Sequence, residues 1–537
     1  MIKTNRLAGM ARSMLATWLP AIALLAAYPA PASAEDSDDW PMFGQNLQNT
    51  ASASKGSVKD VSRLAVKWTF TTGGDVSARA AVADGVAYFP DWGGNLWAVD
   101  AKKGTKVWGR QLSDYGLPAN TQSRTTPAVD DGVVYVGTQT GAWLLAIDAK
   151  TGNLLWKTQL ESPASDPFAV VTTSPAVSGG LLYTGVASLE EAVAANPAFP
   201  CCKARGSVVA VRVKGSNRGQ IAWKTYTVPA GCTGGGVWGS NFVIDKGRGS
   251  VFASTGNNYS RPTDPTYLAC VAAGGTAAAC TSPANHVDSI LSLDINTGAI
   301  KWARKFVNWA QPFVADGADD WNVACRVGFL SGQGNCPVNA GPDYDFAASP
   351  NLITYEGSDG RRKSILGAGQ KSGIYFAMNP DTGAELWRTQ VGPGSALGGM
   401  EWGSASDGKR IYVSIGNLYG MPTAVGGAGS WAALNPETGA ILWQVGDPNG
   451  AISIGALAVA DGVVYAPSMA GAATALTMLA LSAASGQTLW SFASGASVLA
   501  GATIVDGLVL WGSGYTHLGI PGFTGNNKLY AFSKDGK

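Results

Sequence analysis

The sequence predicts an all-β fold, an eight-bladed β-propeller whose ring is closed by strands from both ends of the chain. Three observations carry that expectation. One short phrase recurs along the chain, each recurrence closes a unit with four strand-like segments, and the composition is rich in Gly (70) and Trp (19) with only 14% charged residues. The phrase is D-x-x-T-G-x-x-x-W in its clearest form. It reads "DAKKGTKVW" to Trp108, "DAKTGNLLW" to Trp156, "DINTGAIKW" to Trp302, "NPDTGAELW" to Trp387, "NPETGAILW" to Trp443 and "SAASGQTLW" to Trp490, with a looser "KGSNRGQIAW" to Trp223. The side chain of Asp or Asn satisfies a turn amide, and Gly supplies the positive φ of a tight reversal. Upstream of most phrases stand an Asp-Gly hairpin and two further apolar runs, as in "TPAVDDGVVYVGTQTGAWLLAIDAKTGNLLW".

Taken in chain order, the N-terminus reads as an export signal. Lys3, Arg6 and Arg12 precede the apolar run "MLATWLPAIALLAAY", and Ala32-Ser33-Ala34 offers a small-residue cleavage site. Residues 1–34 are therefore expected to be removed, leaving a soluble, exported propeller of residues 35–537. Seven phrases then end in Trp. An eighth unit, "GATIVDGLVLWGSGYTHLGIPGFTGNNKLYAF", stops after its third strand, and "LAVKWTF" near the other end supplies the fourth with Trp68 in the repeated place. Ring closure by both termini removes the open sheet edge. Trp68, Trp108, Trp156, Trp223, Trp302, Trp387, Trp443 and Trp490 are read as fillers of the gap between blades, that is, as scaffold.

The charge balance, 38 Lys+Arg against 37 Asp+Glu, gives no electrostatic reason for a nucleic-acid partner or an anionic membrane surface. The seven cysteines suit an oxidising compartment, with Cys270/Cys280 and Cys325/Cys336 each bracketing a short loop. No C-x-x-C-H for covalent haem occurs, nor paired C-x-x-C for structural zinc. The two histidines, His286 and His517, lie outside any nucleophile motif, which disfavours a hydrolase triad; no Gly-Lys phosphate loop is present.

Function is expected where the copies deviate, because ring folds carry their sites on loops over one face. The intervals Trp223–Trp302 and Trp302–Trp387 are much longer than Trp108–Trp156. Four segments stand out. "TTSPAVSGGLLYTGVASLEEA" places Glu190 and Glu191 after a strand. "GGGVWGSNFVIDKGRGSVFASTGNNYS" holds Trp238 away from the docking place and Asn257-Asn258 after a strand. "DDWNVACRVGFLSGQGNCPVNAGPDYDFAASP" carries Asp319, Asp320, Asp343 and Asp345, and "GAGQKSGIYFAMNPDTG" sets Lys371 in an apolar, glycine-rich context. Singly, each is an ordinary loop residue. Together they supply oxygen ligands for a hard cation, a carboxylate base, one cation and an extra indole, the inventory of a metal-assisted redox or acid–base site.

On "WPMFGQNLQNT", "GVASLEE", "CCKARGSVVAV" and "DDWNVAC" the chain resembles the pyrroloquinoline quinone (PQQ) dependent alcohol dehydrogenases, eight-bladed periplasmic propellers, and within them the polyvinyl alcohol dehydrogenase branch. The resemblance spans residues 35–537 and implies a set of roles. Glu190 and Asn257 match ligands of an active-site cation, calcium or a lanthanide, and Asp345 matches an additional ligand of lanthanide-using relatives. Trp238 matches the indole on which the flat cofactor stacks, Thr172 a quinone contact, and Lys371 the cation at the reactive carbonyl. Asp343 is the implied base and cation neighbour, with Asp319 the alternative, because an insertion divides the motif. Arg124, in "SRTTPAV", stands where relatives carry adjacent cysteines and is the implied contact for a quinone carboxylate. Cys201 and Cys202 occur instead after Glu190, able to bridge each other or to pair with Cys232. Lacking a haem motif, the enzyme is expected to pass electrons to a separate periplasmic cytochrome c or similar acceptor. The competing expectation is a non-enzymatic periplasmic scaffold built on the same repeat, or a PQQ dehydrogenase for sugars or other alcohols. The insertions at 261–285 and 322–342 suit either an open funnel for a polymer or a lid over a small alcohol.

Overall fold

Among the described residues the strands form eight four-stranded antiparallel blades, ordered one repeat after another; a short strand, Ala169–Val170, adds to the third, and Ser52–Ala53 pairs in parallel with the seventh. The computed structural model of the protein describes residues 39–537 except 54–57, 59, 195, 197, 261, 307–341 and 518. The expected leader, Asp319 and the Cys325/Cys336 pair therefore lie outside the described residues. Blade one runs Ala81–Ala83, Val86–Pro90, Asn95–Asp100 and Lys106–Gln111. Its first hairpin turns on Asp84 and Gly85 at φ 50° and 73°, the pair of positive φ values that an Asp-Gly reversal needs. The ring closes as expected: Leu64–Thr71 pairs antiparallel with Lys528–Lys534 in blade eight. The innermost strand of blade one meets those of blades two and eight.

The repeated phrase is a joint between neighbours. In its turn the Asp148 carboxylate accepts from the amides of Lys150 and Thr151. Gly152 leaves the surface on which Trp108 of the preceding blade lies: a Cβ there would stand 2.8 Å from the indole. Trp108 Nε1 also donates to the Ala149 carbonyl at 2.8 Å. Gly104 meets Trp68, Gly219 meets Trp156, Gly298 meets Trp223, Gly383 meets Trp302, Gly439 meets Trp387 and Gly486 meets Trp443 in the same way. Trp490 completes the circuit by donating to the Leu64 carbonyl of the closing strand. Gly and Trp are thus two halves of one contact, written in successive repeats.

The segment "WPMFGQNLQNT" has a structural task. It passes beneath the ring, giving carbonyls of Pro41, Leu47, Gln48, Thr50 and Ala51 to the amides of Val129, Ile244, Leu352, Ser406 and Val459, while Trp40 bridges Val82. One arm thereby ties the inner strands of blades one, two and four to seven. Arg79, 1% exposed, pins it by donating to the Phe43 and Leu457 carbonyls beneath the rings of Trp40 and Phe43. The insertion at 261–285 forms two short helices, Pro265–Ala272 and Ala277–Cys280, joined by the Cys270–Cys280 disulfide.

Candidate active site

Every second strand ends on the same face of the ring, so the residues that follow it in each blade converge there. After Leu181–Ser188 comes Glu190, after Ser250–Ser254 comes Asn257, and after Arg362–Gly369 comes Lys371. Polar groups thus collect over blades three to five, where the repeat is interrupted. Asp343 and Asp345 arrive on the segment leading into the first strand of blade five, Asn351–Glu356.

These side chains form one buried chain of contacts. Asn257 Nδ2 donates to Asp343 Oδ1, and Lys371 Nζ lies 3.5 Å from that same oxygen. Lys371 also pairs with Asp345 Oδ1 at 2.7 Å, and Trp238 Nε1 donates to Asp345 Oδ2 at 2.9 Å. The ammonium sits 5.0 Å from the centre of the Trp238 ring. Asn257, Asp343, Asp345 and Lys371 are all buried, whereas Trp238 is half-buried. Gly256 makes room for this contact, since a Cβ there would lie 2.8 Å from Asp345 Oδ2. Burial pushes the Asp343 carboxyl well above the usual carboxylate range; Lys371 opposes the rise and Asp345 adds to it. Burial works against the charge on Lys371, but Asp343, Asp345 and Glu401 hold its pKa well above the ordinary ammonium value.

Glu190 is held differently. It opens a one-turn helix and its carboxylate accepts from the Lys203 amide at 2.9 and 2.8 Å and from the Ala204 amide at 2.7 Å. Ser188 links the Glu190 amide to Asp166, whose carboxyl burial raises to about 6. The 203–206 segment is laced to Asn257 through Gly234 and Gly235: Gly234 N donates to Ala204 O and Gly235 N to Asn257 O. Among the described residues no three His, Cys, Asp or Glu side chains surround a common point, so Glu190 stands apart from the Asp343–Asp345 pair.

Arg124 lies over Trp402 at 4.5 Å and over Trp238 at 5.9 Å, and Trp402 meets Trp238 edge to face at 5.6 Å. A cavity of about 30 Å³ adjoins them, its lining including Arg79, Arg124, Thr126, Thr172, Ser174 and Ser240. The structure brings the expected residues Asn257, Trp238, Asp343, Asp345 and Lys371 into contact with one another. Sequence reasoning missed Glu401 and Trp402, as well as Ser188 and Asp166, which position Glu190. Glu401 is 1% exposed; burial raises its carboxyl to about 7 against the pull of Lys371. The signal available was "GGMEWGS", a second Trp outside the docking place beside a lone acid in a small-residue loop.

Asn257, Asp343 and Asp345 gather oxygens of the kind a hard cation takes, with Glu190 set apart from them. Among the described residues, buried Thr172 Oγ1, Arg124 Nε, Trp402 Nε1 and Glu401 Oε2 have no hydrogen-bond partner, and such atoms call for a polar ligand.

A family profile described as "Outer membrane protein assembly factor BamB" matches residues 54–319 and 371–537. A polyvinylalcohol dehydrogenase of Pseudomonas sp is 30% identical across 93% of this chain and 78% of its own length. Another, of Sphingopyxis sp. (strain 113P3), is 28% identical across 95% and 78%. Among solved structures, the quinohemoprotein alcohol dehydrogenase ADHIIG of Pseudomonas putida HK5 superposes with a TM-score of 0.69 at 18% identity, covering 94% of this chain and 81% of that one. The profile passes over residues 320–370, which hold Asp343 and Asp345. By its matched repeats and its near full-length relatives, the chain belongs to the PQQ-dependent alcohol dehydrogenase family, in its polyvinyl alcohol dehydrogenase branch, and is an oxidoreductase.

Proposed function

We propose that the protein oxidises secondary alcohol groups, those of polyvinyl alcohol or a related chain, using PQQ and a hard cation, calcium or a lanthanide. The observation that carries this reading is the buried sequence Asn257–Asp343–Lys371–Asp345–Trp238 on one ring face. A scaffold has no use for it, since burying two carboxylates and an ammonium opposes folding unless a task retains them. When bound, the quinone supplies a two-electron acceptor and the cation a Lewis acid.

The chain's own residues do the rest. Asn257, Asp343 and Asp345, with Glu190 brought to them, would hold the cation, and the half-buried face of Trp238 would receive the flat ring. Arg124 and Thr172 would pair with carboxylates, while Lys371 would place positive charge where reduction gathers negative charge. Asp343, ionised, would accept the hydroxyl proton.

The support for a long, partly apolar substrate is the likeness to two polyvinylalcohol dehydrogenases, 30% and 28% identical to this chain. We place the mature protein in the periplasm after loss of residues 1–34, passing electrons to a separate cytochrome c.

The test is dye reduction by metal-stripped protein mixed with PQQ and either calcium or lanthanum, offered polyvinyl alcohol or short secondary alcohols. Turnover that Asp343→Ala abolishes while PQQ binding persists is the expected result. Failure of either metal to support PQQ binding would overturn the reading in favour of a scaffold.

A further inference from the structure

Beside the site lies an open pocket of about 430 Å³ whose lining includes Cys201, Cys202, Lys203, Arg205, Thr233 and Ser260. Cys201 and Cys202 form a disulfide between adjacent residues, and both are half-buried rather than sealed in the core. Lys203 is exposed. Arg205 is stacked 4.1 Å over the Tyr226 ring and donates to the Val228 carbonyl. Among the described residues neither cation joins an ion pair, and no Asp or Glu lines the pocket. An accessible disulfide at the wall of a cationic pocket draws anionic nucleophiles and steadies the thiolate that leaves.

The position of this disulfide in the chain matters more than its exposure. The next two residues, Lys203 and Ala204, supply the amides that clamp the Glu190 carboxylate. The bridge closes a ring that includes the peptide bond leading into that clamp, so it fixes the backbone from which both donors project. Opening the ring returns conformational freedom to residues 201 and 202, and the amides lose their fixed aim.

We propose that Cys201–Cys202 and its pocket are a thiol-exchange site for small anionic thiols, whose reduction releases the Glu190 clamp. A thiolate attacks one sulfur, forming a mixed disulfide and freeing the other cysteine as a thiolate, which takes up a proton. A second thiol then resolves the mixed disulfide. The balance is one protein disulfide and two thiols giving two cysteine thiols and one small-molecule disulfide, two electrons and two protons passing to the protein. The consequence for cation binding rests on the function proposed above; the consequence for the clamp does not.

The experiment treats the intact protein with mercaptosuccinate or with neutral 2-mercaptoethanol at equal thiolate concentration, with alkylation and peptide mapping to separate Cys201/Cys202 from Cys270/Cys280. Mercaptosuccinate is expected to reduce Cys201–Cys202 about tenfold faster at low salt, with the advantage shrinking in 0.5 M NaCl. Hydrogen exchange at the Lys203 and Ala204 amides should then speed at least tenfold, and terbium affinity, read by luminescence, should fall by a similar factor. The double variant Cys201→Ser/Cys202→Ser should match the reduced protein in both readouts. Equal reduction rates for the two thiols would overturn the anionic preference, and unchanged exchange at residues 203 and 204 after reduction would overturn the clamp. Absence of terbium binding in the oxidised protein would count against the proposed cation site, while the exchange measurement still decides the clamp.

Discussion

Replacing Lys371 by Met tests whether the site is electrostatically built as described. The ammonium is 5% exposed and lies 2.7 Å from Asp345, itself 3% exposed, and 3.5 Å from Asp343, 1% exposed. At an effective dielectric constant of about 20 these separations correspond to attractions of roughly 6 and 5 kcal/mol. Desolvating the ammonium takes back several kcal/mol, and measured losses on removing one partner of a buried pair are about 3–5 kcal/mol. We expect Lys371→Met, stripped of metal, to lose about 3–5 kcal/mol at pH 8.

The loss should shrink on acidification. Without the ammonium, the folded-state pKa of the Asp343 carboxyl rises further above its unfolded value. Such a group contributes stability at low pH, and that contribution is lost as pH rises through the folded-state pKa. While Asp343 remains protonated it recovers about 1.4 kcal/mol per pH unit below that value. Thermal melts in EDTA at pH 8 and pH 6, for wild type, Lys371→Met and Lys371→Met/Asp345→Asn, give the comparison. The double variant should regain part of the deficit, because it no longer strands Asp345. A deficit below about 1 kcal/mol at pH 8, or one equally large at pH 6, would refute the buried-pair argument.

Three further outcomes follow from the same geometry. Gly256→Ala places a methyl 2.8 Å from Asp345 Oδ2 and 3.0 Å from Trp238 Nε1; it should break their hydrogen bond, cost about 1–3 kcal/mol and shift Trp238 fluorescence, measured against Trp238→Phe. Trp108→Ala removes an indole 5% exposed that is docked on the next blade; a loss of about 3–5 kcal/mol in denaturant melts is expected, and a loss below 1 kcal/mol would deny it a joint's role. Glu401, raised from 4.5 to about 7, contributes stability that is full below pH 4.5 and lost as pH rises through 7. Glu401→Gln should flatten the wild-type decline in stability between pH 5 and 8, and an unaltered decline would assign it to other groups.

Much of the site was legible because each chemically unusual residue interrupts a repeat that otherwise says what to expect. Asn257 follows the second strand of its blade at the place where Glu190 and Lys371 follow theirs, so a shared register brought three distant residues to one face. Asp343 and Asp345 were legible as acids in an insertion, and the structure places both in contact with Lys371. Glu401 was not legible: in the sequence it is one acid in a small-residue loop, and only its burial between Lys371 and Arg124 gives it meaning. The backbone amides that grip Glu190 carry no sequence signature at all, since any residue type supplies an N–H.

The sequence by itself determined the scaffold, because a propeller is built from contacts between successive repeats and each repeat writes both halves of the joint. Gly104 and Trp108, Gly152 and Trp156 are close in the chain, yet each Trp docks on the Gly of the next blade. That periodic pairing fixes the number of blades and the mode of closure before any coordinates are drawn. The tertiary structure alone decided what the cysteines and charges do. It joined Cys201 to Cys202 rather than either to Cys232, a buried thiol, and it paired Lys371 more closely with Asp345 than with Asp343. Those choices turn on ångström separations in a low-dielectric interior, where Coulomb energy and disulfide geometry vary steeply with distance.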